Sequence, residues 1–460
     1  MDASQWDALL QAQADANPFM RHAYLAALHE SGAASPKTGW TPRFITLWRG
    51  EDMVAACALY IKAHSYGEYV FDHAWANAYH QHGLSYYPKA LVAVPFTPVP
   101  GARLLARTEA DRTALVQGLI AWCDQEKLSS LHLLFANDED VAACASAGLM
   151  LRHTVQFHWK NVAPTLVAAR TALPHFSSFE DFLNSLSQEK RKKIRQERRK
   201  VADAGVTFRH VLGAEISPGD WDFFYDCYER TYLEHGNAPY LSRDFFQRMA
   251  DTMPENWLLF VAEREGQPMA ASLIAVSAMA AGPRRSDSIN ALNVVDAVDA
   301  VNGSTAGTTK FVANYLYSTL ANGIKNHSTT PEQGDTGIAT ASEPEAPSAS
   351  SADRVAERIA YGRYWGALER VDCLHFEACY YQPLQWCIEH GFQRFEGGAQ
   401  GEHKMARALM PVKTTSAHWL AQPAFADAVE RFLEREGQGI ENYMADLSER
   451  SPYRNQAERA

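Results

Sequence analysis

Two segments of the C-terminal half mix titratable, aromatic and glycine residues in a way that a core element does not need. Residues 362–366 (GRYWG) are followed by 374–382 (LHFEACYYQ), which place an imidazole and a carboxylate at the start of a predicted helix. Residues 396–404 (EGGAQGEHK) form a glycine-rich loop with several titratable groups. Imidazole and carboxylate groups suit proton transfer, and glycines let backbone amides approach an anion or an acyl oxygen. The residue types therefore indicate a ligand-facing site.

Two segments of the N-terminal half have the same mixed character. Residues 64–72 (HSYGEYVFD) place Glu68 and Asp72 beside several aromatic rings. Residues 86–101 (YYPKALVAVPFTPVPG) add the positive charge of Lys89. The prolines of this second segment argue against a central strand and predict a rigid wall.

The overall composition is that of a globular protein with more than one domain. A chain of 460 residues exceeds what one hydrophobic core usually supports, so we expect two domains. The net charge of −11 argues against a protein that coats nucleic acid. The seven cysteines form no CxxC pair, which favours a reducing cytoplasm over a disulfide framework or a zinc site. No apolar run approaches the roughly 20 residues of a membrane span, and the acidic N-terminus predicts an amphipathic helix, not a secretion signal.

The predicted elements recur in a similar order in the two halves. The N-terminal half has strand-like runs at 44–48, 53–62, 69–71, 131–135 and 155–160 and a helix at 107–127. The C-terminal half has helices at 179–203, 221–235, 242–251 and 376–390 and strand-like runs at 257–263, 269–277, 361–365 and 394–397. Each half thus contains a hairpin, a strand, a helix and a further strand, which predicts an internal duplication.

Residues 278–356 break this pattern because small and polar residues dominate. Residues 326–353 contain no aromatic residue, leucine or valine, so they cannot bury enough apolar surface to offset the ordering of their backbone. We predict a disordered insertion at 279–356, with one marginal helix at 311–324. Long loop insertions cost little, so a neutral insertion is its simplest interpretation.

One helix in the second half is strongly basic. Residues 188–200 (QEKRKKIRQERRK) contain eight basic and two acidic residues, while Ile194 and Val201 share an apolar stripe. A solvated helix face is the simple interpretation. The alternative is phosphate binding, either of a nucleotide-bearing donor or of an RNA backbone.

Taken together, these segments resemble the signature segments of the FemAB-like family of N-acyltransferases, within the GNAT superfamily. The resemblance runs from about Gly39 to His418 and is interrupted by the insertion. It implies an α/β fold of tandem GNAT-like domains with mixed central sheets flanked by helices. The expected boundaries are 1–165 for the first domain, 175–420 for the second with its insertion at 279–356, and 421–460 for a C-terminal helical tail.

The resemblance also implies a reaction, the transfer of an activated acyl group to an amine of a small molecule, peptide or cell-wall precursor. Acyl-CoA is the expected donor, although the Arg/Gln-x-x-Gly-x-Gly/Ala loop typical of acetyl-CoA-binding relatives is not found in the sequence. Aminoacyl-tRNA, held by the helix at 188–200, is the alternative donor. A non-catalytic protein that binds its ligand on the same fold is the other alternative.

Acyl transfer to an amine needs a base, hydrogen-bond donors for the oxyanion and help for the leaving group. The catalytic candidates are His375, Glu377, Tyr380 and Glu402. The candidates for substrate binding are Tyr66, Glu68, Asp72, Lys89, Arg363, Tyr381, Gln382, His403 and Lys404. The candidates for an oxyanion or phosphate loop are Gly397, Gly398 and Gly401. We expect Glu68, Asp72 and Lys89 to form one wall of the site and the C-terminal residues to form the other.

Two other kinds of chemistry fit the sequence less well. The spacing of His375 and Glu377 is not that of a metal site, and the HExxH motif is absent from the sequence, so we predict no metal. Ser65 and Cys379 lie in no nucleophile elbow, so we do not expect a covalent intermediate.

Overall fold

The structure, a computed structural model, describes residues 2–162, 175–277, 310–314, 357–399 and 401–454. Within these residues the chain forms one mixed β-sheet with helices packed on both faces. The predicted α/β class, a mixed central sheet flanked by helices, is therefore confirmed.

The N-terminal half begins with two helices and then builds its part of the sheet. Its strands are β1 (Trp40–Arg49), β2 (Asp52–Lys62), β3 (Lys89–Val92), β4 (Leu105–Ala106), β5 (Ser130–Ala136) and β6 (Met150–Lys160). Its helices are α1 (Ala3–Gln11), α2 (His22–Glu30), α3 (His73–Gln81), α4 (Glu109–Gln125) and α5 (Asp138–Ser146). The predicted first hairpin is present as β1 and β2.

The C-terminal half begins with helices that precede its second hairpin. Its strands are β7 (Val206–Leu212), β8 (Trp257–Arg264), β9 (Gln267–Val276), β10 (Lys310–Asn314), β11 (Ile359–Ala367), β12 (Arg394–Ala399) and β13 (Met410–Leu420). Its helices are α6 (Phe179–Ser185), α7 (Gln188–Asp203), α8 (Pro218–Glu234), α9 (Arg243–Thr252), α10 (Leu374–Phe376), α11 (Gln382–Glu389) and α12 (Pro423–Glu449). A π-helical turn at Glu377–Tyr381 joins α10 to α11.

The sheet is nearly symmetric about its centre. In the described part of the chain the strand order is β10-β1-β2-β3-β5-β13-β6-β12-β11-β9-β8-β7, and β4 pairs with β2. The antiparallel pair β13 and β6 forms the centre. On one side lies the parallel pair β5 and β3, and on the other lies the parallel pair β12 and β11. This order fits the predicted internal duplication.

The two halves exchange their last strands. β6 ends the N-terminal half but pairs with β12 of the C-terminal half. β13 ends the C-terminal half but pairs with β5 of the N-terminal half. Each half therefore completes the other, and the two units predicted from sequence share one sheet.

Alternate residues of the strands face two different cores. In β8, Leu259 and Val261 belong to the core that contains α1, α2, α8 and α9, while Leu258 and Phe260 belong to the core that contains α6, α7 and α11. Gly366 lets α8 approach β11, because a Cβ there would lie 1.9 Å from the carbonyl oxygen of Cys227.

Two predictions for the N-terminal half are wrong. Residues 69–71 form an irregular loop and not a strand, because Tyr69 has a φ of 64° that a strand cannot contain. The segment 86–101 does contain a central strand, since β3 lies between β2 and β5. The four residues of β3 lie after Pro88 and before Pro95, so no proline interrupts its hydrogen bonds.

Two predictions for the C-terminal half are also wrong. The single helix predicted at 179–203 is divided into α6 and α7, because Leu186 has an extended backbone with ψ of 159° and a fully buried side chain. Residues 310–314 pair with β1 as a strand instead of starting the helix predicted at 311–324. Apart from this strand, the insertion predicted at 279–356 lies outside the described residues.

Candidate active site

A cavity of about 160 Å³ lies in the C-terminal half where two parallel strands separate. β11 and β12 pair only through residues 359–361 and 394–396, and the cavity occupies the gap beyond that pairing. We call it the transfer cavity. Its lining includes Ser272, Arg363, His375, Cys379, Tyr380 and Gly397. Ligands of open α/β sheets bind at such carboxyl ends of parallel strands.

The helix that follows β11 presents His375 and Tyr380 to this cavity. The π-helical turn inserts an extra residue, which alters the direction of the side chains that follow it. The ring centroid of His375 lies 5.6 Å from that of Trp365 and 5.7 Å from that of Tyr380. Among the residues that the structure describes, neither ring nitrogen of His375 makes a hydrogen bond. The imidazole is therefore available to a ligand.

Burial determines the protonation of the groups that line the transfer cavity. It lowers the pKa of His375 to about 4, so the imidazole is neutral at pH 7. It raises the pKa of Tyr380 well above its usual value, so the phenol keeps its proton. It raises the pKa of the Cys379 thiol to about 12, which leaves little of the nucleophilic thiolate at pH 7.

The glycine-rich loop bounds the cavity through its backbone. Lys404 Nζ donates hydrogen bonds to the carbonyl oxygens of Gly397 at 2.6 Å and Gly398 at 3.3 Å. Burial lowers the pKa of Lys404 to about 8. A Cβ on Gly397 would lie 2.3 Å from Leu409 Cδ2, so close packing alone requires glycine there. The loop thus presents carbonyl oxygens to Lys404, whereas the sequence predicts that it presents backbone amide groups to a ligand.

The two remaining predicted residues of this loop lie near its far end. Gly401 has a φ of 94° and begins the short helix Glu402–Arg407. His403 Nε2 lies 3.4 Å from the hydroxyl oxygen of Tyr380, so His403 adjoins the transfer cavity.

Three predicted residues of the helix face α7 and not the cavity. The buried carboxylate of Glu377 accepts hydrogen bonds from Arg198 Nε at 3.1 Å and from Gln382 Nε2 at 2.8 Å. The hydroxyl of Tyr381 donates to Glu197, whose carboxylate also pairs with Arg407 at 2.8 Å. These contacts hold α7 against the helix that carries His375.

Glu402 lies farther from the cavity. Its exposed carboxylate accepts hydrogen bonds from Tyr443 Oη at 2.9 Å and Arg450 Nη1 at 3.0 Å, both on or just after α12. The structure therefore places it at the packing surface of the C-terminal helix. Glu402 is not brought together with His375 and Tyr380.

The predicted residues of the N-terminal half form a separate, buried cluster. Lys89 Nζ donates to Ser65 Oγ at 2.9 Å, to Glu68 Oε2 at 2.8 Å and to Asp72 Oδ2. Asp72 also accepts from Tyr86 Oη, whose oxygen lies 3.1 Å from His132 Nε2. We call this cluster the Lys89 network. Tyr66, by contrast, is 67% exposed at its edge.

A second lysine belongs to the Lys89 network. Lys62 is the cross-strand neighbour of Lys89, and its Nζ lies 4.0 Å from Glu68 Oε1 and 3.5 Å from the ring centre of Trp40. Burial lowers the pKa of Lys62 to about 7 and raises that of Glu68 to about 7. Burial opposes ionisation of Asp72 as well, but Lys89 outweighs it and lowers the pKa of Asp72.

The predicted residues thus form two groups and not the two walls of one cleft. Arg363 provides a link between the halves, since it lines the transfer cavity and its Nη2 donates to the carbonyl of Phe96 at 2.9 Å. Phe96 in turn packs against Gly67, beside Glu68. The charges of Glu68 and Asp72 are paired with Lys89 and not directed at the transfer cavity.

Sequence reasoning missed Lys62 and Ser272. Lys62 ends a strand whose residues from Met53 to Ile61 are apolar or aromatic. It lies in register with Lys89, which is a signal only once the pairing is known. Ser272 is the single hydroxyl of β9, whose other residues from Met269 to Val276 are apolar, and this signal was present in the sequence.

Two further features are absent from the described residues. No group of three or more histidine, cysteine, aspartate or glutamate side chains is arranged there to hold a metal ion. No helix in that part of the chain has the length and apolar character needed to cross a membrane.

Comparison with known proteins places the chain in a family. The FemAB-like family, described as peptidoglycan biosynthesis/recognition, matches residues 1–281 and 305–455. No curated protein matches significantly. Among solved structures, the chain is similar to FemX (9% identity, covering 94% of this chain and 98% of that chain, TM-score 0.47). It is also similar to L-PGS from Bacillus licheniformis (11%, 94% and 97%, TM-score 0.44) and to a tandem GNAT protein from the clavulanic acid biosynthesis pathway (11%, 87% and 95%, TM-score 0.34).

At these identities the structural likeness concerns the fold alone. The family match is different, because it covers nearly the whole chain and agrees with the resemblance found in the sequence. The chain belongs to the FemAB-like family of peptidoglycan biosynthesis/recognition proteins.

Proposed function

We propose that this protein is an N-acyltransferase whose reaction takes place in the transfer cavity. The observation that carries the proposal is the pairing of His375, an imidazole without a hydrogen-bond partner among the described residues, with Tyr380, a phenol that keeps its proton. The two side chains meet where β11 and β12 separate. Packing does not require an unpartnered imidazole there, whereas acyl transfer uses both a proton acceptor and a hydrogen-bond donor.

The volume of the cavity limits what it can hold. One water occupies roughly 30 Å³ of liquid, so a volume of about 160 Å³ admits a group of only a few non-hydrogen atoms. An acyl or aminoacyl group fits, while a whole nucleotide-bearing donor must extend outside. The cavity would therefore hold the reacting end of the donor, whether that donor is an acyl-CoA or an aminoacyl-tRNA.

The reaction balances with one proton carried by His375. The neutral amine of the acceptor forms the new C–N bond, and the C–S or C–O bond of the donor breaks. The proton that leaves the amine nitrogen passes to His375. Because the pKa of His375 is lowered to about 4, the resulting imidazolium is a strong acid and delivers that proton to the leaving group. The hydroxyl of Tyr380 donates a hydrogen bond to the carbonyl oxygen as negative charge develops on it.

A specific observation favours aminoacyl-tRNA as the alternative donor. On α7, Arg195, Arg198 and Lys200 are paired with carboxylates, but Lys192, Lys193 and Arg199 are exposed and have no side-chain partner in the described ranges. Glu197 and Arg198 join this helix to the one that carries Tyr380. A phosphate backbone bound on α7 would therefore lie beside the helix of the transfer cavity.

The proposal is tested by thermal stability against a panel of acyl-CoAs, free CoA, charged tRNA and uncharged tRNA. A ligand that binds only the folded state raises the Tm by an amount that grows with the logarithm of its concentration relative to its Kd. We expect one class of acylated donor to raise the Tm more than its deacylated form, since the acyl group occupies the cavity.

Two variants at one position make this test specific. Cys379→Leu should fill the cavity and remove the difference between acylated and deacylated donor. Cys379→Ala enlarges the same cavity and should keep that difference. If both variants respond like the wild type, or if no donor raises the Tm, the proposed site is wrong.

A further inference from the structure

A second cavity, of about 360 Å³, lies on the face of the sheet opposite to the transfer cavity. Neighbouring side chains of a strand point to opposite faces, and in β12 Phe395 and Gly397 line the transfer cavity while Arg394 and Glu396 line this one. We call it the junction cavity, because strands from both halves and the N-terminal segment at 11–16 enclose it. Its volume is in the range of ligand-binding pockets.

The floor of the junction cavity consists of buried polar side chains with unused hydrogen-bonding capacity. Glu396 and His158 are each 5% exposed, and Asn137 is 7% exposed. Within the described part of the chain, Glu396 Oε2 and Asn137 Nδ2 have no hydrogen-bond partner. Buried polar atoms of folded proteins are nearly always paired, so unpaired atoms on side chains that line a cavity indicate a missing partner.

The charges around the cavity indicate which partner is missing. Four carboxylates line it and only two basic side chains, and the six residues are Asp15, Asp138, Glu357, Glu396, Arg394 and Lys413. Arg394 is already shared, since it pairs with Glu357 at 3.1 Å and with Glu396 at 3.1 Å. His158 adds no charge at pH 7, because burial lowers its pKa to about 3. The cavity therefore has an excess of negative charge and one buried carboxylate oxygen without a donor.

We propose that the junction cavity binds a small molecule with a positively charged amine, whose ammonium group donates to Glu396 Oε2. Such a group supplies the donor that Glu396 Oε2 lacks and the missing positive charge. Because the cavity joins β5, β6, β12 and β13, a ligand there contacts strands of both halves. The site goes beyond the proposed transfer reaction, from which the sheet separates it.

The protonation of Glu396 supports this inference. Burial raises its pKa to about 7, which shows that the charges around it do not fully compensate its own. The charged groups that act on it are Arg394, Glu357, Asp15 and Arg103, and His158 lies 3.9 Å away in neutral form. An ammonium ligand would be bound by the ionised carboxylate, so its affinity should increase roughly tenfold per pH unit as the pH approaches 7 from below.

The experiment measures binding of putrescine to the full chain by calorimetry and by the shift in Tm. Two molecules of similar length, neutral 1,4-butanediol and the dianion succinate, are the matched controls. We expect putrescine alone to bind with a saturable heat and to raise the Tm, and we expect its affinity to be higher at pH 7 than at pH 6.

Substitutions connect that binding to the cavity. Glu396→Gln keeps the shape of the side chain and should weaken putrescine binding by roughly 10- to 100-fold. The control is Glu263→Gln, which removes a carboxylate of β8 that pairs with Arg209 of β7. It should leave the affinity for putrescine unchanged. A thermal melt of each variant without ligand verifies folding.

Three outcomes would overturn the proposal: no binding of putrescine, binding that persists in Glu396→Gln, or equal binding of butanediol. The first would mean that water molecules satisfy the unpaired atoms of the cavity. If Glu396→Gln does not fold, the wild type provides the test. An affinity for putrescine that is equal at pH 6 and pH 7 would then overturn the proposal.

Discussion

The two parallel strand pairs of the sheet occupy equivalent positions but differ at their open ends. In the N-terminal half, β3 and β5 pair through 90–92 and 131–133, and the segment that follows β3 returns to β5 at the bridge of Gly101 with Ala136. Arg103 fills the space between, with its guanidinium donating to the carbonyls of Leu134 and Val99. In the C-terminal half, β11 and β12 do not meet again in the described residues, and the transfer cavity remains between them.

The difference shows how equivalent positions can serve stability in one half and ligand binding in the other. The charged groups of the Lys89 network are paired with one another, so they stabilise the folded N-terminal half. His375 has no such partner among the described residues, so it is available to a ligand. A charge that is already paired lowers the free energy of the folded state, whereas an unpaired polar group at a cavity is stabilised only by what binds there.

The largest expected effect comes from removal of the central charge of the Lys89 network. Lys89→Met leaves Glu68 and Asp72 buried without their hydrogen-bonded cation, which typically costs about 3–5 kcal/mol. The free energy of unfolding, measured with urea, should decrease by that amount. Lys404→Met is the control in the other half and should cost less, about 1–3 kcal/mol, because the acceptors of its described hydrogen bonds, the carbonyl oxygens of Gly397 and Gly398, are neutral. Equal losses would mean that the two halves do not differ in this respect.

The next effect separates two adjacent tyrosines of one helix. Tyr380→Phe removes the hydroxyl that lines the transfer cavity and should reduce turnover roughly 100- to 1,000-fold, as loss of an oxyanion donor does, with little change in stability. Tyr381→Phe removes the hydroxyl that donates to Glu197 and should lower stability by about 1 kcal/mol with little change in turnover. Initial rates and urea unfolding of both variants test the assignment. The reverse pattern would place the site on the α7 side of the helix.

Sequence alone predicted the hairpins, most helices and several of the residues that line the transfer cavity, because each depends on local patterns. His375, Tyr380 and Gly397 lie in segments whose mixed composition was visible without a structure. The separation of Glu377 from His375 follows from helical periodicity, because side chains two residues apart on a helix do not face each other. The π-helical turn at Glu377–Tyr381, which places Tyr380 beside His375, is what periodicity does not reveal. The exchange of β6 and β13 was also missed, because strand partners from different halves leave no local signal.

The Lys89 network should also give the N-terminal half a characteristic pH dependence through Lys62. Its pKa is about 7 in the folded state and 10.5 as the reference value, so between these values the unfolded chain binds more protons and stability rises with pH. This contribution should amount to about 2 kcal/mol between pH 7 and pH 9. Lys62→Met should lack it, and the difference in unfolding free energy between wild type and variant removes the titrations that the two proteins share. The accompanying change in the pKa of Glu68 remains in this difference, because Lys62 lowers that pKa. A difference that is constant with pH would contradict the lowered pKa.

The smallest effect is expected at Glu402, the predicted base that the structure places against α12. Its ion pair with Arg450 is exposed, and exposed pairs typically contribute less than about 1 kcal/mol. Glu402→Gln should therefore change the free energy of unfolding by less than this amount. It should change turnover by no more than about twofold. Arg450→Ala removes the same ion pair from the other side together with the exposed pair to Asp446, and should give a similarly small loss of stability. A tenfold loss of turnover in Glu402→Gln alone would show that the carboxylate leaves α12 during the reaction, and would extend the site from the gap between β11 and β12 to the glycine-rich loop.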